Sequence, residues 1–305
     1  MSWSTTLPLR GAGGEAVDLW RTIMSHGVAD LPPNRIDEDA RTLETTIALP
    51  RGRPQTVIVS KGANGKASLN GRSGARSDAV LTGVAHILRL DEDLSEFYAL
   101  AREDPDLAWV TNGAGRLMRS QTVFEDVVKT ICTTNTAWGG TVRMVSALVE
   151  HLGEPARGAP ADGPFGHAFP SPAAMAAAPE SFFRDVARTG YRGAYLRSLA
   201  ESVASGEIDV EVLASAEPDE LPDDEVAERL LALPGVGPYA AAHVMMLVGR
   251  YSRLVLDSWT RPKFASLNGR RAKDTAIERR FRRYGPYSGL AFWLFLTRDW
   301  VAEPV

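Results

Sequence analysis

Leu233-Pro234-Gly235-Val236-Gly237-Pro238-Tyr239, followed downstream by Leu254-Val255-Leu256-Asp257, decides how this chain is read. Pro-Gly-Val-Gly is too small and too stiff for an ordinary helix connection. Glycine permits positive φ and lets another backbone come close, while Pro238 suits the first turn of a new helix. Just upstream, Asp224-Glu225-Val226-Ala227-Glu228-Arg229-Leu230-Leu231 has helical periodicity, and 239–248 is an apolar run without a breaker. The pattern predicts helix, tight hairpin, helix, with the hairpin near 231–242 and exposed backbone N–H groups opening the second helix. Such a terminus binds an anion, for which a phosphodiester is a natural candidate.

With 305 residues, 44% of them hydrophobic, the chain can bury a substantial core and hold two or three subdomains. Its formal net charge of −4 argues weakly against nucleic acid, but distribution matters more than the sum. Acids crowd 91–106 and 217–228. The C-terminal part is basic, with Arg250, Arg253, Arg261, Lys263, Arg270, Arg271, Lys273, Arg279, Arg280, Arg282 and Arg283 facing few acids nearby in sequence. Part of that set reads as a solvated helix face and part as tracking phosphates. The single cysteine, Cys132, in an apolar helical run, reads as a buried small hydrophobe. It excludes a disulfide framework, a cysteine-only metal site and a four-cysteine iron–sulfur cluster. No run approaches membrane-spanning length, so a soluble, cytoplasmic protein (nucleoid-associated if bacterial) is expected, monomeric and with no membrane partner.

The first part of the chain differs in pattern from the rest. Strand-like alternation marks 4–9, 42–49, 56–61 and 67–72, with Gly62-Ala63-Asn64-Gly65 as a hairpin signal. Helical patterns lie at 16–26 and 77–88. After Asp93 nearly everything reads as helix: 94–102, 122–133, 137–152, 173–189, 191–205, the hairpin pair, 259–267, 275–284 and 287–301. Residues 153–172, rich in Gly, Pro and Ala, read as a surface loop. The fold class is therefore α+β: a small antiparallel sheet domain with helices over 1–92, then a mainly α-helical core of two subdomains over 93–305. No metal triad, phosphate-binding P-loop, Ser/His/Asp ordering or dinucleotide G-x-G-x-x-G occurs.

Four segments, in order, carry a resemblance. L-P-G-V-G-P-Y-A-A with V-L-D-S-W resembles the hairpin and catalytic-aspartate segment of the helix-hairpin-helix (HhH-GPD) DNA glycosylases of base-excision repair. Residues 124–135, F-E-D-V-V-K-T-I-C-T-T-N, resemble that family's helix ending in a gap-filling Asn. Gly190-Tyr191-Arg192 resembles its wedge, and Tyr284-Gly285-Pro286-Tyr287-Ser288-Gly289 its Y-G-P-Y-A-G close. The pattern is most similar to the 3-methyladenine (alkylbase) and 8-oxoguanine glycosylases, the branch without an iron–sulfur cluster. The resemblance implies hydrolysis of the N-glycosidic bond of an extruded base in double-stranded DNA. Asp257 would stabilise the oxocarbenium-like sugar and activate water. Gly235, Val236, Gly237 and Tyr239 would meet the DNA strand, Asn135 would fill the gap left by the base, Tyr191 would wedge, and Arg192 would read the orphan base or phosphate. The backbone carbonyls of Leu231, Leu233 and Val236 would hold a monovalent cation, Na+ or K+; no other cofactor is implied.

Each residue also has a plainer reading. Asp257 suits an N-cap before Ser258-Trp259, and Asn135 a helix C-cap. Tyr239, His243, Trp138 and Phe292 are assigned to the substrate pocket, yet each reads equally as packing. Bifunctional family members carry a lysine where Tyr239 stands, and a phenol cannot form the Schiff base. Phe292 falls where 8-oxoguanine enzymes place a base-reading glutamine. Both departures favour a monofunctional enzyme for alkylated purines such as 3-methyladenine, whose positive charge suits aromatic faces. The alternatives are an oxidised-purine glycosylase with abasic-site lyase activity and a catalytically silent damaged-DNA-binding protein.

Overall fold

A computed structural model describes residues 2–72, 74 and 77–301; positions 1, 73, 75, 76 and 302–305, which the limits 1–92 and 93–305 take in, lie outside the described residues. Five strands form one antiparallel sheet in the order β1-β5-β4-β3-β2: β1 Trp3–Pro8, β2 Arg35–Asp37, β3 Thr42–Ile47, β4 Gln55–Lys61 and β5 Lys66–Gly71. Asn64 and Gly65, both left-handed at φ 54° and 67°, turn β4 into β5. Leu43, Ile47, Val57, Val59, Ala67 and Leu69 point to one face, where Val80, Val84 and Ile87 of helix α2 (Asp78–Ile87) close a first core. The sheet-domain helix expected over 16–26 is shorter. Asp18 caps Arg21 N at 3.0 Å, so α1 spans only Leu19–Ile23, and a 3-10 turn at Gly27–Asp30 follows.

The remaining helices are α3 Ser95–Arg102, α4 Val123–Thr133, α5 Trp138–Leu152, α6 Pro172–Ala177, α7 Arg192–Ala204, α8 Val212–Ser215, α9 Asp223–Leu231, α10 Pro238–Leu247, α11 Thr260–Leu267, α12 Asp274–Phe281 and α13 Ser288–Thr297. The single helix expected over 173–189 breaks after Ala177. Ala178 precedes Pro179 and takes φ −71°, ψ 136°, as the proline ring demands, and a π-helical turn at Phe182–Val186 resumes the path.

These helices bury two further cores. One gathers α4 to α10 around Val127, Ile131, Leu148, Leu196, Leu230 and Val244. The other joins α3 to the C-terminal helices through Phe97, Leu107, Phe264, Phe281 and Phe292. Tyr239 packs on both. Arg116, wholly buried, fastens the sheet domain to the helices: it pairs with Glu15 and donates to the carbonyls of Arg89 (3.0 Å) and Glu92 (2.7 Å).

The basic C-terminal stretch is not short of acids in space. Arg250 pairs with Asp223, Arg253 with Asp224, Arg261 with Asp274, Lys263 with Asp299, Arg280 with Asp106, and Arg283 with Asp104. Most of these partners lie in the two acid-rich stretches, so part of the local excess of each sign cancels on folding.

Candidate active site and DNA-binding cleft

A cleft of about 810 Å³ runs between the two helical cores, lined by Thr133 to Thr136, Tyr191, Tyr195, Leu231, Leu233, Gly235 to Ala240, Asp257 and Ser258. The connection between α9 and α10 forms one wall. Gly235 sits at φ 79°, and a Cβ there would come within 2.8 Å of the Tyr195 ring, so glycine is required on both counts. Gly237 differs from expectation: at φ −98°, ψ −177° it is extended backbone any residue adopts, and a Cβ there would meet nothing. Its openness keeps the α10 N-terminus bare. Pro238 fills the first helical position, and no side chain caps the helix.

Asp257 faces the hairpin from the other core. Its segment is fixed by Gly289 of α13, which donates to Tyr251 O and whose absent Cβ would lie 2.1 Å from the Arg253 carbonyl oxygen. Only glycine lets the strand-like run into Asp257 lie directly on α13. The carboxylate is also a cap: Oδ1 accepts Trp259 N at 2.8 Å and Thr260 N at 2.6 Å, while Asp257 N donates to Thr260 Oγ1 at 2.8 Å. Oδ2 has no hydrogen-bond partner among the described residues. The cap reading of Asp257 holds, and it leaves room for the other, since one oxygen anchors the group and the second is left to the cleft.

Asn135 and Tyr191 meet across the opposite wall. Asn135 is left-handed (φ 44°) just beyond the end of α4, as a C-cap asparagine would be, and its Nδ2 donates to Tyr191 Oη at 3.1 Å. That bond, more than any other influence, lowers the pKa of the exposed Tyr191 phenol. Arg192 behaves otherwise than expected. It is buried, donating to the carbonyl and hydroxyl of Thr134 and to Thr189 O, with its guanidinium 4.5 Å from the Tyr191 ring centroid. It braces the turn that presents Asn135.

No protein-family model and no curated protein sequence matches the chain. Solved structures do. The 3-methyladenine DNA glycosylase from Archaeoglobus fulgidus superposes with a TM-score of 0.72 at 19% identity, over 98% of this chain and all of that one. The apo 8-oxoguanine glycosylase/lyase of Clostridium acetobutylicum gives 0.72 at 22% identity, over 96% and 95%. The protein MBOgg1, in complex with a low-affinity DNA ligand, gives 0.73 at 20%, over 97% and 96%. The chain has the fold of the helix-hairpin-helix DNA glycosylases.

Within that fold, three of the residues assigned to the pocket do not line the cleft. Phe292 is completely buried, its ring centroid 6.2 Å from that of Phe264 and 5.3 Å from that of Phe281, facing the core and not the cleft. Trp138 is exposed at the start of α5 over Gly27 and is not among the residues lining the cleft. His243 is buried behind Tyr239, the ring centroids 6.0 Å apart.

The aromatic group next to Asp257 is the exposed Trp259, which packs with two further tryptophans outside the cleft lining. Trp259, Trp293 and Trp300 lie at mutual centroid distances of 5.6, 5.5 and 5.9 Å, with Trp293 Nε1 donating to Ser25 O at 2.8 Å. Burial raises the Tyr239 pKa, against the lowering hydrogen bond with Thr133 and with a smaller raising contribution from the charge of Asp257.

Among the described residues no lysine lines the cleft. Lys263 is tied to Asp299 at 2.6 Å, and the buried Lys129 to Glu125 at 2.7 Å. The carbonyl-bearing residues Leu231, Leu233 and Val236 all line the cleft, although Leu233 O already accepts Val236 N at 3.2 Å.

Proposed function

We propose that this protein is a monofunctional base-excision DNA glycosylase that hydrolyses the N-glycosidic bond of an alkylated purine extruded from double-stranded DNA. One observation carries the reading: a single cleft holds an anchored carboxylate, an uncapped helix N-terminus behind a glycine hairpin, and an exposed Asn–Tyr pair. These are the parts that base extrusion and glycosidic hydrolysis need. The hairpin amides take a backbone phosphate. Tyr191 and Asn135 enter the duplex and occupy the gap. Asp257, held by the Trp259 and Thr260 amides, leaves its second oxygen to stabilise positive charge on the deoxyribose and to orient water.

Two features support the finer assignment. A cleft lined by no lysine offers no amine for a Schiff base, which speaks for hydrolysis without lyase chemistry. Exposed Trp259, whose amide donates to Asp257 and which is backed by Trp293 and Trp300, offers an indole face to a cationic base, and such bases leave readily without acid assistance. The carbonyls of Leu231, Leu233 and Val236, all neutral oxygens, suit a monovalent cation, which would add positive charge beside the bound phosphate.

The test is a single-turnover screen of duplexes bearing 3-methyladenine, 7-methylguanine, hypoxanthine, ethenoadenine or 8-oxoguanine, run with wild type and Asp257→Asn, together with borohydride trapping. Release of methylated purines, lost in Asp257→Asn and without a trapped adduct, is the expected result. A covalent adduct turns the reading to an oxidised-purine glycosylase/lyase. Tight binding of an abasic-site mimic with no base release from any lesion turns it to a damage-binding protein.

A further inference from the structure

Behind Tyr239 lies a pair of polar side chains that the proposed reaction does not use. His26, from the turn after α1, and His243, from α10, are both buried, their ring centroids 6.1 Å apart at 86°. His26 Nε2 lies 2.5 Å from Met118 O. A carbonyl only accepts, so the proton sits on Nε2, and Nδ1 is left as a bare acceptor with no partner. His243 Nε2 is likewise buried and unpartnered. A buried polar atom without a partner is costly and calls for an explanation.

Surrounding groups show what these atoms adjoin. The Trp293 ring is 6.5 Å from His243 and donates to Ser25, next to His26. Tyr239 walls the cleft on one side and meets His243 on the other, its hydroxyl held, among the described residues, by a 3.4 Å contact with Thr133 Oγ1. Displacing the Tyr239 ring therefore opens the cleft beside Asp257 towards His243, with His26 next behind it. We propose that His26 and His243 form the hydrogen-bonding floor of the base site, reached past Tyr239 as a gate, and that His26 Nδ1 selects bases carrying an N–H donor. The assignment rests on the glycosylase reading above and names the edge of the base which that site reads. Both imidazoles are held neutral, chiefly by burial, which preserves the acceptor on His26.

The experiment is single-turnover excision of 7-methylguanine and hypoxanthine, which carry N–H donors, against 1,N6-ethenoadenine, which has none. Wild type releases the first two faster than the third, by on the order of tenfold or more, since a site built to hydrogen-bond rejects an analogue without the group. His26→Phe brings the three rates together. His26→Asn, whose amide donates to Met118 and keeps an acceptor, retains the preference. Thermal melting checks that each variant is folded, and His26→Met replaces His26→Phe if the latter is not. Equal wild-type rates overturn the proposal, as does slowing of all three lesions by one factor in the apolar variant, the behaviour of two imidazoles that merely share a trapped water. A wild type inert on every lesion, indistinguishable from Asp257→Asn, removes the glycosylase reading itself.

Discussion

Asp257 and Thr260 cap one another: the Asp257 carboxylate accepts the Thr260 amide at 2.6 Å, and the Thr260 hydroxyl accepts the Asp257 amide at 2.8 Å. The carboxylate that faces the cleft is thus placed by the first turn of α11 and not by a flexible loop.

Asparagine at 257 keeps an oxygen for the two amides and removes the charge. Asp257→Asn is therefore expected to melt near wild type while base release falls on the order of 10²- to 10³-fold, the usual effect of removing one preorganised electrostatic group. Thr260→Val loses the reciprocal bond and about 1 kcal/mol of stability. Single-turnover rates and thermal melts of both variants separate charge from placement.

Glycines 235, 237 and 289 should respond differently to alanine. Gly289→Ala forces a methyl into the Arg253 carbonyl, and an overpacked site of this kind costs about 1–3 kcal/mol. Gly235→Ala meets both a left-handed φ and the Tyr195 ring and is destabilising as well. Gly237→Ala has room and ordinary backbone, so its melting temperature stays near wild type while duplex affinity drops, because the added methyl stands where the phosphate approaches. A melting temperature for Gly237→Ala as low as that of Gly235→Ala contradicts this.

Tyr191 is more than half exposed, so Tyr191→Ala should leave stability almost untouched. Loss of one stacked ring is worth about 1–3 kcal/mol, so affinity for a duplex with an abasic-site mimic should fall roughly tenfold or more. Asn135→Ala acts in the same direction and less than additively, since the two side chains share a hydrogen bond. Titrations of the single and double variants measure this.

Acid should unfold the protein early. Burial lowers His26 to about 3 and His243 to about 4, so below about pH 6.5 the unfolded chain binds protons that the folded chain refuses. Stability is full above that pH and is lost as pH falls towards 4, at up to about 1.4 kcal/mol per pH unit per histidine. Asp126, which burial raises to about 6, has the opposite sign and gains stability over the lower part of that range, but it stands against three histidines, since burial lowers His86 to about 4 as well. Melting temperatures from pH 8 to pH 4 should therefore decline, and less steeply in His26→Phe.

Much of this was legible locally. The hairpin, its flanking helices and the glycine at positive φ follow from a short stretch whose residues dictate their own backbone. The sheet was legible except for β2, whose three residues carry too little alternation to register. Helix α13 shows where reading stops: apolar on every side, it offers no periodicity to say which residue faces which core, so Phe292 was expected in the pocket and is found in the core. The tryptophan cluster, the acid partners of the basic stretch and His26 depend on contacts between residues far apart in the chain. Tyr195 was within reach, because four residues after Tyr191 on one helix places the two rings on the same face.

Tyr239 touches both helical cores and also closes the cleft over His243. A change in the angle between those cores would move that ring. Spreading to admit a bent duplex and unlatching the chamber for a swung-out nucleotide would then be one movement, so that inspection begins only once the strand has been seized.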